Sequence, residues 1–187
     1  MIRGLFLCAI ALFLNCCSAP KTKWHQLVLK DLTNNEIALS QFKNGTSVFI
    51  FLSPECPLCR NYSLRINELQ KEFENDTLNF IGVVAGNFYS KQEIKEYLVK
   101  HRMRLTVLLD TDFKLTKALE ATITPEVFVF TSGGAIAYCG AIDNWVIGLG
   151  QKRLETSEHF LHNALISLQQ KTPVNPTKTK AIGCFIE

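Results

Sequence analysis

The residues best suited to chemistry are two thiols. Cys56 and Cys59 stand three apart in "SVFIFLSPECPLC", directly after an apolar run. A Cys-x-x-Cys pair admits three chemistries: half of a zinc site, a structural disulfide, or a redox-active disulfide. Two things bear on the choice. One is the compartment in which the chain works, and the other is the place of the pair in the fold.

The compartment is written at the N-terminus. Residues 1–17 carry a basic residue, Arg3, then an apolar stretch from Gly4 to Leu14. That stretch is short of the about 17–25 residues a membrane-spanning helix needs, but it suits the apolar region of a secretory signal. Leu14-Asn15-Cys16-Cys17 resembles a bacterial lipobox, although Asn15 departs from the small residues usual there. Cys17 is the expected lipidation site, with Cys16 the second choice. The alternative is an unlipidated signal peptide. Either places the mature chain outside the cytoplasm, on the periplasmic side of a bacterial membrane. Of the seven cysteines, Cys8, Cys16 and Cys17 then belong to the export segment. Cys56, Cys59, Cys139 and Cys184 remain in an oxidising compartment, where disulfide chemistry is favoured over zinc.

Composition sets the rest of the frame. The 187 residues are 47% hydrophobic and 20% charged, with a formal net charge of +3. One domain with a proper core fits this length. The charge is too small and too scattered to argue for a nucleic-acid partner.

Periodicity predicts the elements that must position the pair. "HQLVLKDL" reads as a short strand and "NEIALSQF" as a second short element. "TSVFIFL" has the continuous β-branched and aromatic character of a strand buried on both faces. After the cysteines, Leu58, Tyr62, Ile66, Leu69 and Phe73 recur at helical spacing. "LNFIGVVAG" predicts another buried strand. Ser90 and Glu93 form a capping box ahead of a helix with Ile94, Tyr97, Leu98 and His101 on one face. "LTVLLD" is a strand, Leu115, Ala118 and Leu119 mark a short helix, and "EVFVFTSGGAIAYCG" predicts a hairpin turning at Gly133-Gly134. A last helix is expected from about Thr156, with Phe160, Leu161, Ala164, Leu165 and Leu168 facing inward. This order gives an α/β fold with a mixed central sheet flanked by helices. The expected organisation is a signal peptide over 1–17, a linker over 18–23, one domain over 24–170, and an extended tail over 171–187 packing on or near it.

On that plan Cys56 lies at the end of a buried strand and the helix starts at Pro57 or Leu58, where proline is tolerated. The helix N-terminus favours a Cys56 thiolate. Cys59, one turn inside, is shielded. The expectation is an exposed nucleophile, Cys56, and a resolving thiol, Cys59, which attacks the mixed disulfide. Glu55 opposes the thiolate, and Arg60 offsets that if its side chain turns back. Redox exchange becomes the leading chemistry, with a structural bridge or a metal site as alternatives.

The chain resembles the thioredoxin-like superfamily, in its redoxin (AhpC/TSA-like) branch, which includes periplasmic thiol-disulfide oxidoreductases. The resemblance covers about residues 24 to 187 and rests on "FLSPECPLCRNY", "TITPEVFVF" and "GGAIAYCGAIDN". It implies a thioredoxin-like fold and a cis-proline loop at Thr124-Pro125. In the family the proline packs on the disulfide and the preceding backbone binds substrate. An unpaired backbone edge suited to an extended peptide is expected there. Three departures stand out. Ile50 occupies the place of a buried carboxylate, Phe49 and Ser53 replace the Pro and Thr that peroxidases of the group require, and Cys139 replaces a basic residue in the hairpin.

The tail "PTKTKAIGCFIE" resembles the end of some exported redoxin-domain proteins. There Gly183 permits a close backbone approach, and Cys184 is a candidate third thiol beside Cys56 or else a bridge to Cys139. The expected function is a membrane-anchored oxidoreductase exchanging disulfides with exported proteins. It would be served by a membrane or periplasmic electron-transfer partner, and it calls for no cofactor. The alternative is a copper-binding thioredoxin-like chaperone for oxidase assembly, since soft thiolates select Cu(I). The four histidines (His25, His101, His159 and His162) show no ligand spacing.

Overall fold

The computed structural model describes residues 23–187 apart from 74 and 76. The export segment, Cys16, Cys17 and residues 18–22 of the expected linker lie outside the described residues. Among those that are described, no helix is long and apolar enough to cross a membrane.

After a single 3-10 turn at Trp24–Gln26 the chain forms β1 (Val28–Asp31) and β2 (Glu36–Ala38), then a second 3-10 segment. There follow β3 (Thr46–Phe51), α1 (Pro57–Phe73), β4 (Leu78–Ala85), α2 (Lys91–Lys100), β5 (Thr106–Asp110) and α3 (Lys114–Leu119). The second half runs β6 (Ile123–Thr124), β7 (Glu126–Phe130), β8 (Ile136–Gly140), β9 (Val146–Gly148), β10 (Gln151–Lys152), α4 (Phe160–Gln169) and β11 (Cys184–Phe185). Seven strands make the central sheet in the order β2-β1-β5-β4-β3-β7-β8. β3, β4 and β5 are parallel, whereas β7 joins β3 antiparallel and β8 extends the sheet as a hairpin partner. The fold is thioredoxin-like, with a mixed sheet at its centre.

The alternation along β3 shows why the sheet must be covered on both sides. Val48 and Ile50 join one buried cluster with Cys56 and Cys59 and with Tyr62, Ile66, Leu69 and Phe73 of α1. Phe49 and Phe51 enter the opposite cluster with Trp24, Phe128, Phe130, Leu115 and Leu119. Successive strand side chains point to opposite faces, so each strand feeds both cores. Trp24 is anchored there by its indole N–H, which donates to the Gly134 carbonyl at 3.0 Å, and by edge contact with Phe49.

The capping box at α2 forms as expected: the Ser90 side chain accepts from the Glu93 backbone N–H, and Glu93 reaches back to the Ser90 backbone. The last helix differs. It starts at Phe160 rather than near Thr156, because the Asn144 side chain accepts the backbone N–H groups of Ser157 and Glu158, both at 3.1 Å. Those donors are satisfied outside a helix. The small β9–β10 hairpin just before this loop, only three and two residues per strand, is too short to show a period in the sequence.

The tail after α4 is extended and hydrogen-bonded twice. Near Thr177–Thr179 it runs beside β8: Cys139 N–H donates to the Thr177 carbonyl and Thr179 N–H to the Cys139 carbonyl, each at 3.0 Å. A Cβ at Gly140 would stand 2.2 Å from the Thr179 carbonyl oxygen, so this approach needs a glycine. Further on, β11 pairs antiparallel with β6, Cys184 opposite Thr124 and Phe185 opposite Ile123.

Candidate active site

Cys56 occupies the turn between β3 and α1. Its N–H donates to the Ser53 carbonyl at 3.1 Å, and its own carbonyl accepts the Arg60 N–H at 3.2 Å, the first hydrogen bond of the helix. Pro57 is the first helical residue, a position at which a missing N–H costs nothing. Cys59 lies one turn in and is fully buried; its sulfur accepts the Ser53 N–H at 3.4 Å. The Tyr97 hydroxyl donates to the Cys59 carbonyl, which ties α2 to the first turn of α1. The two thiols are therefore unequal, as the strand-to-helix junction requires.

The Thr124–Pro125 peptide bond is cis, and the loop brings the Thr124 carbonyl to 3.1 Å from Cys56 Sγ. Thr124, Pro125, Cys56 and Cys59 thus meet at one place, although 65 residues or more of chain separate the two halves.

Two expectations are corrected here. Cys56 is not exposed: it retains 2% of its accessible surface, no more than an ordinary core residue. Nor is the edge beside Pro125 open. Both follow from the tail, whose strand β11 pairs with β6 and sets Cys184 against the Cys56 group. Gly183 makes this possible, since a Cβ there would come within 2.0 Å of the Thr124 carbonyl oxygen. Cys56, Cys59 and Cys184 are free thiols. Cys184 packs with the Cys56 face of the sheet while Cys139 lies in the opposite core, so the alternative of a Cys139–Cys184 bridge does not hold.

The electrostatics follow from this crowding. Hydrogen bonding from the Cys59 thiol, joined by the Cys184 thiol and the backbone N–H groups of both residues, holds Cys56 down to about 4 against the opposing effect of burial. The Thr124 carbonyl pulls the other way, because it accepts from an S–H and not from a thiolate. The balance is in favour of the thiolate, since the donors around the sulfur outnumber this one acceptor. Burial, then the neighbouring Cys56 sulfur, raises Cys59 well above the usual thiol range. The same two causes push Cys184 up to about 12. Arg60 does turn back, though to the Glu55 backbone carbonyl at 3.4 Å rather than to a carboxylate.

Other polar groups near the thiols had no legible signal in the sequence. The Ser53 and Tyr89 hydroxyls pair at 2.8 Å beside a cleft of about 310 Å³ that Cys56, Thr124 and Cys184 also line. One turn beyond Cys59 on the same buried face of α1, Tyr62 donates to the buried Asp143 carboxylate at 2.7 Å. A larger groove of about 1100 Å³ runs along the outer side of the tail, past Ile123, Lys178, Gly183 and Phe185, and does not reach the Cys56 sulfur. Among the described residues, no group of three or more His, Cys, Asp or Glu side chains is placed to hold a metal ion.

A thiolate at a helix start, a buried second thiol three residues on and a cis-proline loop against the first are the parts that thiol–disulfide exchange needs. The sequence profile of the AhpC/TSA family matches residues 20–139. The chain belongs to the AhpC/TSA family. It is 28% identical over 126 residues to the thiol-disulfide oxidoreductase YkuV of Bacillus subtilis (strain 168), covering 65% of this chain and 81% of that one. By this homology the chain is a thiol-disulfide oxidoreductase. Among solved structures, an uncharacterized conserved protein from Geobacillus kaustophilus is similar with a TM-score of 0.78 at 20% identity, over 92% of this chain and 93% of that one. A secreted Mycobacterium tuberculosis disulfide oxidoreductase, described as homologous to E. coli DsbE, shares the fold with a TM-score of 0.54 at 16% identity. That match covers 60% of this chain and 81% of the other.

Proposed function

We propose that the protein is an extracytoplasmic, membrane-anchored thiol-disulfide oxidoreductase that exchanges disulfides with exported proteins. Cys56 is the nucleophile and Cys59 the resolving thiol. The backbone at Thr124, set by Pro125, receives the extended substrate segment around the target cysteine. The observation that carries the assignment is the inequality of the two sulfurs. Cys56 is held as a thiolate at the mouth of the Thr124 loop, and Cys59 is buried behind it as a thiol.

In this mechanism the Cys56 thiolate attacks a substrate disulfide and one substrate sulfur leaves as a thiolate. The resulting mixed disulfide is then attacked by Cys59. The second substrate thiolate leaves, a Cys56–Cys59 disulfide forms, and the protein has lost two electrons to the substrate. Run in reverse, the same steps oxidise a substrate dithiol. The export segment with Cys17 as lipidation site supports the location, and the secreted neighbour of like fold is consistent with it. A membrane or periplasmic electron-transfer partner would reset the pair.

The test is a trapping experiment. Cys59→Ser together with Cys184→Ser in the full chain, expressed in a bacterial host, should accumulate covalent adducts with exported proteins through Cys56, because no thiol beside it is left to release them. A membrane fraction labelled by fatty acid should lose its label in Cys17→Ser. Adducts with cytoplasmic proteins only, or no adducts at all, would overturn the assignment.

A further inference from the structure

The segment that covers Cys56 has the form of a substrate. β11 is an extended strand laid antiparallel on β6, the short strand that leads into Pro125. Its register puts a cysteine, Cys184, opposite Thr124, whose carbonyl is the group in contact with Cys56 Sγ. The Ile186 N–H donates to the Thr122 carbonyl at 2.9 Å, and the Thr124 hydroxyl reaches the Cys184 carbonyl at 3.5 Å. Cys184 faces inward with the Cys56 group, and Phe185 points out at 75% exposure. Backbone pairing at a sheet edge with alternate side chains entering the site is how extended peptides are recognised.

We propose that residues 183–187 are a built-in substrate, and that Cys184 is a third redox-active thiol that exchanges with Cys56 in the place a client cysteine would take. The proposal rests on Cys56 being the nucleophile. In the oxidised protein the Cys184 thiolate attacks Cys56 Sγ of the Cys56–Cys59 disulfide. The Cys56–Cys184 bond forms, the Cys56–Cys59 bond breaks, and Cys59 leaves as a thiolate that takes up the proton Cys184 gave away. The step is an isomerisation and consumes no oxidant. Once Cys56 is in a disulfide, the thiolate that held the Cys184 proton is gone, so Cys184 ionises more readily than in the reduced protein.

Two consequences follow for clients. A client must displace the tail, so the protein's apparent affinity falls by the fraction of time that the edge is free. A client in the same register meets the same Thr124 carbonyl that leaves no room for a Cβ at Gly183. The site therefore takes extended segments with glycine directly before the cysteine.

The test uses the full chain equilibrated in a glutathione redox buffer, alkylated, and mapped for disulfide-linked peptides by mass spectrometry. Wild type should show both Cys56–Cys59 and Cys56–Cys184, and Cys59→Ser should convert to Cys56–Cys184. Gly183→Ala, whose added methyl expels the tail strand without removing it, should lower the Cys56–Cys184 share. It should also react about tenfold faster with the synthetic peptide AIGCFIE if the tail is closed about nine-tenths of the time. The peptide AIVCFIE should react more slowly than AIGCFIE. A cycling Cys56–Cys59 pair with Cys184 left free in both wild type and Cys59→Ser would overturn the proposal and leave the proposed function intact. Cys56–Cys184 formation without any exchange at Cys56–Cys59 would support the third thiol and sink the proposed function. Equal rates for the two peptides would overturn the shared register.

Discussion

Cys184 stands opposite Thr124 in strand register, and the Thr124 carbonyl lies 3.1 Å from Cys56 Sγ. A residue near the end of the chain thus shares one backbone contact with the sulfur at the start of the first helix. The tail and the cis-proline loop are both part of the same site, and the effects of substitutions should reflect that.

Replacing the sulfurs should give different results for each. Cys56→Ser should abolish insulin reduction, because no other described thiol sits at a helix start. Cys59→Ser combined with Cys184→Ser, which leaves no second thiol beside Cys56, should keep the first attack and stall at the mixed disulfide, so turnover is lost while a stoichiometric adduct appears on a non-reducing gel. Equal loss in both variants without an adduct would contradict the unequal roles.

The pH dependence has a defined sign. The Cys56 pKa falls from 9.0 to about 4 on folding, so its ionisation stabilises the reduced protein fully above about pH 9. That contribution is lost steadily as the pH falls towards 4 and is absent below. Cys184, raised to about 12, has the opposite sign: its contribution is present below about pH 9 and fades as the pH rises to 12. Urea unfolding of the reduced protein between pH 8 and pH 7 should show the first effect without that of Cys184, whereas below about pH 6.5 His25 and His101, both held below the ordinary imidazole range by burial and neighbouring basic side chains, add a slope of the same sign. Cys56→Ser should flatten the slope.

A thiolate stabilised in the reduced form makes the disulfide the better oxidant. The Cys56–Cys59 couple should therefore titrate against glutathione at a potential well above the about −270 mV of thioredoxin. A value at or below that figure would mean that burial of Cys59 outweighs the Cys56 thiolate.

Gly140 tests the upper seam of the tail. It has φ +130°, and a Cβ there would lie 2.2 Å from the Thr179 carbonyl. Gly140→Ala should cost about 1–3 kcal/mol in chemical denaturation. It should also increase protease cleavage within residues 171–187. An unchanged cleavage pattern would show that the seam re-forms around the methyl group.

Trp24 is buried against Phe49 and Phe130 and donates to the Gly134 carbonyl. Trp24→Ala should cost about 3–5 kcal/mol by urea unfolding, with the redox potential of the Cys56–Cys59 couple unchanged, because Trp24 lies on the other side of the sheet.

The parts legible in the sequence were those set by local periodicity. β3 and β4 read as buried runs, α1 through its apolar spacing, α2 through the Ser90–Glu93 box, and the hairpin through Gly133-Gly134. Cys56 and Cys59 could be placed because the strand-to-helix junction is itself local, whereas Thr124-Pro125 was brought to them by the family resemblance carried by "TITPEVFVF" and not by spacing. What escaped depends on contacts distant in sequence. Asn144 takes the donors that would have started α4 near Thr156. Ser53 meets Tyr89, and Tyr62 meets Asp143, through pairings no spacing predicts. The burial of Cys56 was missed for the same reason. The tail showed no periodicity, and two short pairings, with β8 and with β6, fix it in place.

Those two pairings hold the tail at separate points, with only Lys180 to Ile182 between them and the Gly183 approach. If the lower one lets go while the upper one holds, Cys184 stays on a short tether beside Cys56. Short flexible tethers of this kind correspond to local concentrations of about millimolar. A free client thiol would have to compete with that concentration, which favours clients that bring a second contact surface with their cysteine.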